Sequence, residues 1–348
     1  MVSGGRNLIK EPRRPRLKLA VSGLTLSLAL GLGLGLGWVR FQLFQPYRGY
    51  DTSESLILIP RGSTGSTIGR LLQSRGIIRS QPLFSAYVSF HYPTSLKAGE
   101  YLFSQPMSLV DVADRLYQGE THQYRVTVPE GETMKEVLGR FAERGFGQRA
   151  RLWKAGRRTD LVSDLDPLAD NLEGYLFPDT YYVTQAMDED QIVQTMVHTF
   201  RSKWTAERRA RAEELRMTTR EVITLASLIE EEARLAEERP LVSAVFHNRL
   251  DKKVKLACDP TVIYAVQLVK EYDGIIHRSD LQLDSPYNTY LYPGLPPGPI
   301  ANPGLASIDA ALYPAPVEYL YFVSRNDGSH VFSTHYRDHS RAVRRYQR

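Results

Sequence analysis

The chain has 348 residues, enough for two modest domains with hydrophobic cores, and its composition is that of an ordinary globular protein. The net charge of +5 is mild and is spread along the chain, which argues against a nucleic-acid binder. A single cysteine, Cys258, excludes any disulfide within the chain.

The N-terminus combines a basic tail with a long uncharged stretch. Residues 1–18 hold six basic residues against one acid, Glu11, and the 21 residues 19–39 carry no charge. Such a stretch is long enough to cross a bilayer as a helix. The positive-inside rule then places the tail in the cytoplasm and the rest of the chain outside. We therefore predict a single-pass transmembrane helix, with a cleaved signal peptide as the alternative.

An internal repeat follows residues 40–54, which are predicted to form a polar linker. The first copy, "LILIPRGSTGSTIGRLLQSRGI", starts at Leu56, and the second, "RVTVPEGETMKEVLGRFAERGF", starts at Arg125. Each copy alternates apolar and polar residues into a Pro-x-Gly turn and then shifts to helical spacing. Each therefore predicts a strand, a turn and a helix; two unrelated units with similar turns are the alternative.

The rest of the chain predicts an α+β protein with two folded parts. Residues 96–119 predict a strand and then a helix from about Ser108, so residues 55–122 are expected to form a small α+β module. Residues 123–348 are expected to form a larger mixed α+β domain. Its stretch 190–250 predicts helices with a break near Pro240, and the stretch "EYLYFVSR" (318–325) predicts a strand.

The segment "EGYLFPDTYYV" (173–183) is a candidate ligand wall. Tyr175 and Phe177 could stack on sugar rings, and Asp179 and Thr180 could bind hydroxyl groups. The alternative is a strand edge whose aromatic side chains belong to the core.

Three consecutive glutamates, Glu230, Glu231 and Glu232, lie in the helical stretch "LASLIEEEARLAEER" (225–239). On a helical wheel Glu231 points away from the apolar stripe, Glu232 lies within the sector of the stripe, and Glu230 lies at its flank. Burial raises the pKa of a carboxylic acid, which a general acid near neutral pH requires. Glu230 and Glu232 are therefore candidates for catalysis, and a solvated, salt-bridged helix face is the alternative.

A third candidate region lies further along the chain, in "VFHNRL" (245–250), "CDPTVIYA" (258–265) and "SPYNTYLYPGLPPGPIANPG" (285–304). Five prolines and three glycines between Pro293 and Gly304 predict an ordered loop rather than a helix or strand. Loops rich in Tyr, Asn and Thr commonly line ligand sites.

Other chemistries have little support in the sequence. It contains no phosphate-binding glycine loop and no zinc-ligand spacing, and we expect no cofactor and no metal. Metal binding by His330, His335 and His339 is a weak alternative, as is a nucleophile pair of His247 and Cys258.

These motifs, in this order behind an N-terminal anchor, resemble the MltG (YceG-like) endolytic murein transglycosylases. The resemblance runs from about residue 56 to 340 and includes "EGYLFPDTY", "LASLIEEEA", "ERPLVSAVFHNRL", "DPTVIYA", "GLPPGPIANPG", "YLYFV" and "DGSHVFS". It implies a LysM-like module in residues 55–122, a catalytic domain beyond it, and location at the inner membrane with that domain outside the cytoplasm. Cys258 departs from the family, whose members often carry Ser or Thr there.

The resemblance also implies a reaction and a site. Glycan strands of peptidoglycan would be cleaved without water, and cell-wall synthases are implied as partners. Glu230 would be the catalytic acid. From the spacing of the two acids, rather than from the resemblance, we expect Glu232 to orient substrate or to act on Glu230 through its like charge. The remaining candidate substrate-binding residues are Tyr175, Phe177, Asp179, Thr180, Asn248, Asp259, Thr261, Tyr287, Asn288, Thr289 and Tyr290.

Two other functions remain open on the sequence. A glycoside hydrolase would use Glu230 with Asp179 or Asp259 and consume water. A membrane-tethered glycan-binding protein would use the LysM-like module without catalysis.

Overall fold

The computed structural model describes residues 16–347, with side chains from residue 27 onward. Most of the predicted basic tail, residues 1–18, lies outside the described residues. The chain divides into two compact units, one ending at His122 and the other beginning at Gln123.

The first unit opens with a long helix, α1 (Arg16–Phe44). Its stretch Ser27–Phe44 is apolar and long enough to cross a membrane, as a signal sequence also would be. The leucines between positions 28 and 36 are each more than 60% exposed, which suits a helix whose surroundings are lipid rather than protein.

The segment predicted as a linker, 40–54, is bound to the first unit rather than free. Residues up to Phe44 continue α1, and Tyr47 exchanges two backbone hydrogen bonds with Met107, at 2.9 and 3.3 Å. Arg79 donates to the carbonyl groups of Gln45 at 3.0 Å and Pro46 at 3.2 Å. Its guanidinium also lies over the ring of Tyr47. The polar composition predicted a free linker, but the carbonyl groups of residues 45–47 accept hydrogen bonds from Arg79 and Met107.

The body of the first unit is a two-stranded antiparallel sheet covered by helices. Ile57 of the first strand pairs with Tyr101 of the second, and both are buried in the core of the unit. The predicted strand and helix of residues 96–119 are confirmed, and the helix starts after a capping box at Ser108. The elements are β1 (Ser55–Ile59), α2 (Gly65–Ser74), α3 (Gln81–His91), β2 (Gly99–Phe103) and α4 (Leu109–Gln118).

The second unit consists of helices around a large apolar core, with two further strand pairs. The predicted helices of 190–250 are confirmed, and the break lies just before Pro240, which occupies the first turn of its helix. The elements are β3 (Tyr124–Thr127), α5 (Met134–Glu143), α6 (Arg149–Ala155), β4 (Thr180–Val183), α7 (Glu189–Lys203), α8 (Ala206–Glu214), α9 (Thr219–Glu232), α10 (Arg239–Asp251), α11 (Asp259–Gln267), α12 (Leu305–Leu312), β5 (Tyr321–Ser324), β6 (His330–Ser333) and α13 (Tyr336–Tyr346). The strands β3 and β4 pair antiparallel, as do β5 and β6.

The two copies of the repeat form the same strand, turn and helix, as predicted. In both, the helix follows an N-capping threonine, Thr64 in the first unit and Thr133 in the second. The glycine of each Pro-x-Gly turn has a positive φ, 77° at Gly62 and 82° at Gly131, which an L side chain rarely adopts. The copies differ in their partners, because β1 pairs with β2 whereas β3 pairs with β4.

Replacing Arg79 by Ala should free the segment around Arg48 and make it a faster site for trypsin. The reason is that the variant loses both hydrogen bonds to the carbonyl groups of residues 45 and 46. Replacement of Arg70, an exposed arginine on α2, is the matched control. Limited proteolysis followed by mass spectrometry measures cleavage after Arg48. Equal rates in the two variants would contradict the assignment of a bound segment.

Candidate active site

The buried helix α9 ends in three consecutive glutamates. It begins with a capping box between Thr218 and Glu221, and residues 222–229 are buried throughout. Its last turn carries the three acids where unpaired carbonyl groups already create a negative potential. Each carboxyl group must therefore be stabilised by a cation, a hydrogen-bond donor, a proton or water. The three glutamates differ in which of these stabilises them.

Glu230 is bound by two donors. Its Oε1 accepts from Nη2 of Arg239 at 3.2 Å, and its Oε2 accepts from the backbone N–H of Gly304 at 2.9 Å. The side chain is only 7% exposed. Arg239 donates further to Oγ of Ser307 at 3.0 Å. Glu230 thus joins α9 to the first turn of α10 and to the loop before α12.

Glu232 is partly buried and lacks such a cation partner among the described residues. Burial is the main cause that raises its pKa to about 7; the charge of Asp259 acts in the same direction, and the hydrogen bond from Cys258 acts against it. The thiol of Cys258 donates to its Oε1 at 3.2 Å. Burial also raises the pKa of that thiol, so the sulfur keeps its proton and remains a donor. Cys258, which stands where the resembled family often carries Ser or Thr, thus contacts Glu232 directly.

Glu231 is the exposed member of the run, as the helical wheel predicted. Desolvation and then repulsion from Glu230 raise its pKa to about 7 as well. Among the three, Glu232 is the carboxyl group that is both shielded and open to a cavity.

Glu232 lies where two surface cavities meet, of about 380 and 530 Å³. His330 lines both cavities with it. The Nδ1 of His330 lies 2.6 Å from Oε2 of Glu238, and its backbone N–H donates to Oε1 of the same carboxylate at 2.9 Å. This pairing fixes the position of the imidazole ring in the wall of the site.

Two further predicted residues line the larger of these cavities, Asp259 and Tyr290. The hydroxyl group of Tyr290 donates to Oδ1 of Asp259 at 2.5 Å. Asp259 belongs to the motif "DPT" and Tyr290 to the motif "SPYNTY". The fold brings these two motifs together beside Glu232. The structure therefore places the carboxyl groups of Glu232 and Asp259 and the phenol of Tyr290 around one solvent-accessible space.

Four other predicted residues support the site from behind rather than facing it, which corrects their assignment as ligands. Asn288 is fully buried and donates to the carbonyl groups of Leu281 and Leu283. Thr261 and Thr289 are buried and share a hydrogen bond at 2.8 Å. The fourth, Asn248, donates to the carbonyl groups of Val317 and Tyr319. The side-chain amides of Asn288, which is buried, and Asn248, which is half-buried, thus satisfy backbone oxygens within the fold.

The aromatic wall predicted in residues 173–183 is wrong. Tyr175 and Phe177 are at most 5% exposed and belong to the core of the second unit. The predicted Asp179 is exposed, and Thr180 pairs with Thr127 across the β3–β4 sheet. A fifth candidate, Tyr287, packs against Tyr264. None of these five predicted residues lines the two cavities around Glu232.

The segment 173–183 instead contributes a buried acid, Glu173, which the motif search did not single out. Its Oε1 accepts from the backbone N–H of Met134 at 2.7 Å and from Asn302 at 3.3 Å. Burial raises its pKa to about 8. Asn302 also accepts from the backbone N–H of Leu176 at 2.9 Å, so one amide orders the predicted 293–304 loop.

The sequence alternative of a salt-bridged helix face includes Arg239 as a nearby cation, but Gly304, Glu238 and the role of His330 were not predicted. Gly304 lies 74 positions from Glu230, and no local pattern links the two. His330 was weighed only as a metal ligand. Within residues 16–347 no group of three or more His, Cys, Asp or Glu side chains is placed to hold a metal ion.

Comparison with known proteins gives consistent results. The sequence profile of the YceG-like family matches residues 57–345. The endolytic murein transglycosylase of Bacillus subtilis is 32% identical over 320 residues, 87% of this chain and 88% of the relative. That of Streptococcus pneumoniae is 29% identical and covers 82% of this chain, which spans 57% of that relative's length. The crystal structure of a YceG-like protein from Listeria monocytogenes has a TM-score of 0.57 at 32% identity, covering 84% of this chain and 99% of that one.

Replacing Glu173 by Gln should flatten the pH dependence of stability. The folded chain retains a proton on Glu173 that the unfolded chain releases, since the pKa rises from 4.5 to about 8 on folding. The free energy of unfolding therefore falls as pH rises through this window, by up to about 1.4 kcal/mol per pH unit. In the variant that share of the fall is absent, whereas the share of Glu232, whose pKa is also raised, remains.

The measurement is urea unfolding of the full chain between pH 5 and 8.5. Replacement of the exposed Glu213 by Gln is the control and should follow the wild type. Parallel curves for wild type and the Glu173→Gln variant would show that Glu173 is ionised in the folded protein.

Proposed function

This chain belongs to the YceG-like family, and from that membership we propose that it is an endolytic murein transglycosylase. It would act as a lyase on peptidoglycan, cleaving the bond between N-acetylmuramic acid and N-acetylglucosamine within glycan strands. The new ends would carry 1,6-anhydro-N-acetylmuramic acid. The observation that carries the proposal is the partly buried Glu232, with its pKa raised to about 7, at the junction of two open cavities.

The open site suits cleavage within a strand. Because Glu232 lines two open cavities, the sugars next to the cleaved bond can occupy more than one space beside it. The lining also suits sugars, since Tyr290, Tyr321 and Tyr336 supply aromatic faces and hydroxyl groups. An enzyme that removes terminal sugars would instead need a site closed at one end.

We assign the catalytic acid to Glu232, whereas the resemblance assigned it to Glu230. A general acid needs a proton near neutral pH and access to the glycosidic oxygen. Glu230 is nearly enclosed, and both of its oxygens are occupied by Arg239 and Gly304. Glu232 meets both requirements, and its S–H partner leaves the second oxygen free for substrate.

One carboxyl group completes the reaction. Protonated Glu232 donates to the glycosidic oxygen as the bond to the anomeric carbon breaks through an oxocarbenium-like state. The resulting carboxylate takes the proton of the muramic acid 6-hydroxyl, whose oxygen bonds to the anomeric carbon. The acid is then regenerated, and no water is consumed.

Two other functions are weighed against this one. A hydrolase would use Asp259, which lines the same cavity, to activate water; Asp179 is far less suitable because it lies outside that lining. The hydroxyl group of Tyr290 already binds Asp259 at 2.5 Å, which weakens it as a base. A non-catalytic glycan-binding protein would have no need of a shielded, protonated carboxyl group.

The remaining parts of the proposal concern location and partners. We propose that α1 is an uncleaved anchor in the inner membrane, with the N-terminus in the cytoplasm and the catalytic domain outside. Residues 55–122 are proposed as a LysM-like module that binds glycan. The enzyme would release or terminate nascent strands beside cell-wall synthases.

The test compares Glu232→Gln with Glu230→Gln in digestions of purified peptidoglycan by the full chain. We expect Glu232→Gln to lower the release of anhydro-ended fragments by about 10²–10⁴-fold, the usual contribution of a general acid. This variant should fold normally, because Gln keeps the shape and neutral charge of a protonated Glu.

The Glu230→Gln variant should mainly lose stability, because the charge that binds Arg239 is removed. Thermal unfolding separates this effect from catalysis. A fully active Glu232→Gln enzyme, with an inactive but stable Glu230→Gln enzyme, would return the acid to Glu230.

A further inference from the structure

A second cleft lies in the catalytic unit between α5, α6 and the end of α11. It consists of two cavities of about 740 and 680 Å³. They share five lining residues and therefore form one space, called here the α5–α6 cleft. The shared residues are Thr133, Lys135, Gly139, Arg149 and Gln267. None of the reaction steps above uses this cleft.

The larger part of the cleft has an apolar surface in contact with water. Trp153 is 42% exposed and Leu268 is 58% exposed, and Met134 and Leu138 line the space beside them. An exposed indole beside aliphatic side chains is typical of a surface that binds a ligand. Small apolar groups of a ligand would be favourably buried there.

The charges around this part are of one sign. Its lining includes three cations, Lys135, Arg149 and Arg157, and its one carboxyl group is that of Glu173. Glu173 keeps its proton near neutral pH because of its burial, so the lining is cationic in net charge. An exposed ion pair with Glu143 at 3.1 Å offsets part of the charge of Arg149, but Arg157 is exposed on the rim. The ligand that fits is an anion with small apolar side groups.

The cleft also approaches the catalytic helix. Its smaller part is lined by Glu132 and Glu136. The neighbouring turn glycine, Gly131, contacts the end of α9, because a Cβ atom on it would lie 3.0 Å from Oε1 of Glu231. The end of α9 therefore lies next to the turn that leads into the smaller part of the cleft.

We infer that the α5–α6 cleft binds the peptide stem of peptidoglycan. This inference rests on the proposed function, since it names the second part of the same substrate. The stem carries carboxylates and alanine methyl groups, which match the cationic rim and the apolar surface. The glycan backbone is a poorer match, because its sugars are neutral where the lactyl group is amidated by the stem. The cleft would thus make the enzyme selective for strands that still bear peptides.

The test has a binding arm and an activity arm, both with the full chain in lipid nanodiscs. In the first, calorimetry measures binding of a synthetic stem pentapeptide with a free C-terminal carboxylate. In the second, the release of anhydro ends is compared between glycan strands with stems and strands whose stems an amidase has removed. The variants are Arg157→Glu and Trp153→Ala, and the control is Lys252→Glu at an exposed lysine outside the cleft.

We expect both variants to weaken pentapeptide binding by about tenfold or more, and the control to bind like the wild type. The variants should lose the preference for stem-bearing strands while cleaving bare strands at the wild-type rate. Unchanged binding in both variants overturns the inference, as does an equal loss on both kinds of strand. Faster cleavage of stem-free strands than of stem-bearing strands by the wild type overturns it too.

The two proposals fail in different ways. If the wild type binds the pentapeptide through Arg157 and Trp153 but releases no anhydro ends, the proposed reaction is wrong and the cleft assignment stands. If it releases anhydro ends with no effect of either variant, the reaction stands and the cleft assignment is wrong.

Discussion

The arrangement of the second unit depends on how one buried helix accommodates three carboxyl groups at its C-terminal end. The helix dipole and mutual repulsion both oppose three charges there. Arg239 and the N–H of Gly304 bind the first, water solvates the second, and a proton on the third removes its charge. The pairing of Glu230 brings the first turn of α10 and the 293–304 loop to α9, and so builds one side of the site. The proton on Glu232 is then available for chemistry.

The second constraint is the loop that precedes α12. Ile300 donates through its backbone N–H to Oγ of Ser227 at 3.0 Å, and Asn302 exchanges hydrogen bonds with the turn at Glu132 and with Glu173. The loop therefore connects α9 to the strand–turn–helix repeat of the second unit. The same repeat serves two purposes in the chain, since its first copy builds a separate small core and its second copy lies beside the catalytic helix.

Local periodicity was sufficient to predict most of the fold, including both repeat copies, the helix after Ser108 and the exposure of Glu231. The ligand wall was harder, because motif residues that lie together in sequence have different environments in three dimensions. Tyr175 and Asn288 both suggested sugar contacts, yet one packs in the core and the other satisfies backbone carbonyl groups. The helical wheel predicted that Glu232 is the deepest of the three, whereas Glu230 is nearly enclosed and Glu232 lines two cavities. The S–H donor of Glu232 is 26 residues away and was not predicted. Long-range partners of this kind decide which carboxyl group is charged, and no local pattern encodes them.

The central claim is that Glu232 transfers a proton in a bond cleavage that consumes no water. The most direct measurement is digestion of peptidoglycan by the full chain in heavy-oxygen water, followed by mass spectrometry of the released ends. The account predicts ends lighter than hydrolysis products by one water, free of heavy oxygen and absent from digestions by the Glu232→Gln variant. Heavy oxygen at the new reducing ends would contradict it and favour a hydrolase that uses Asp259.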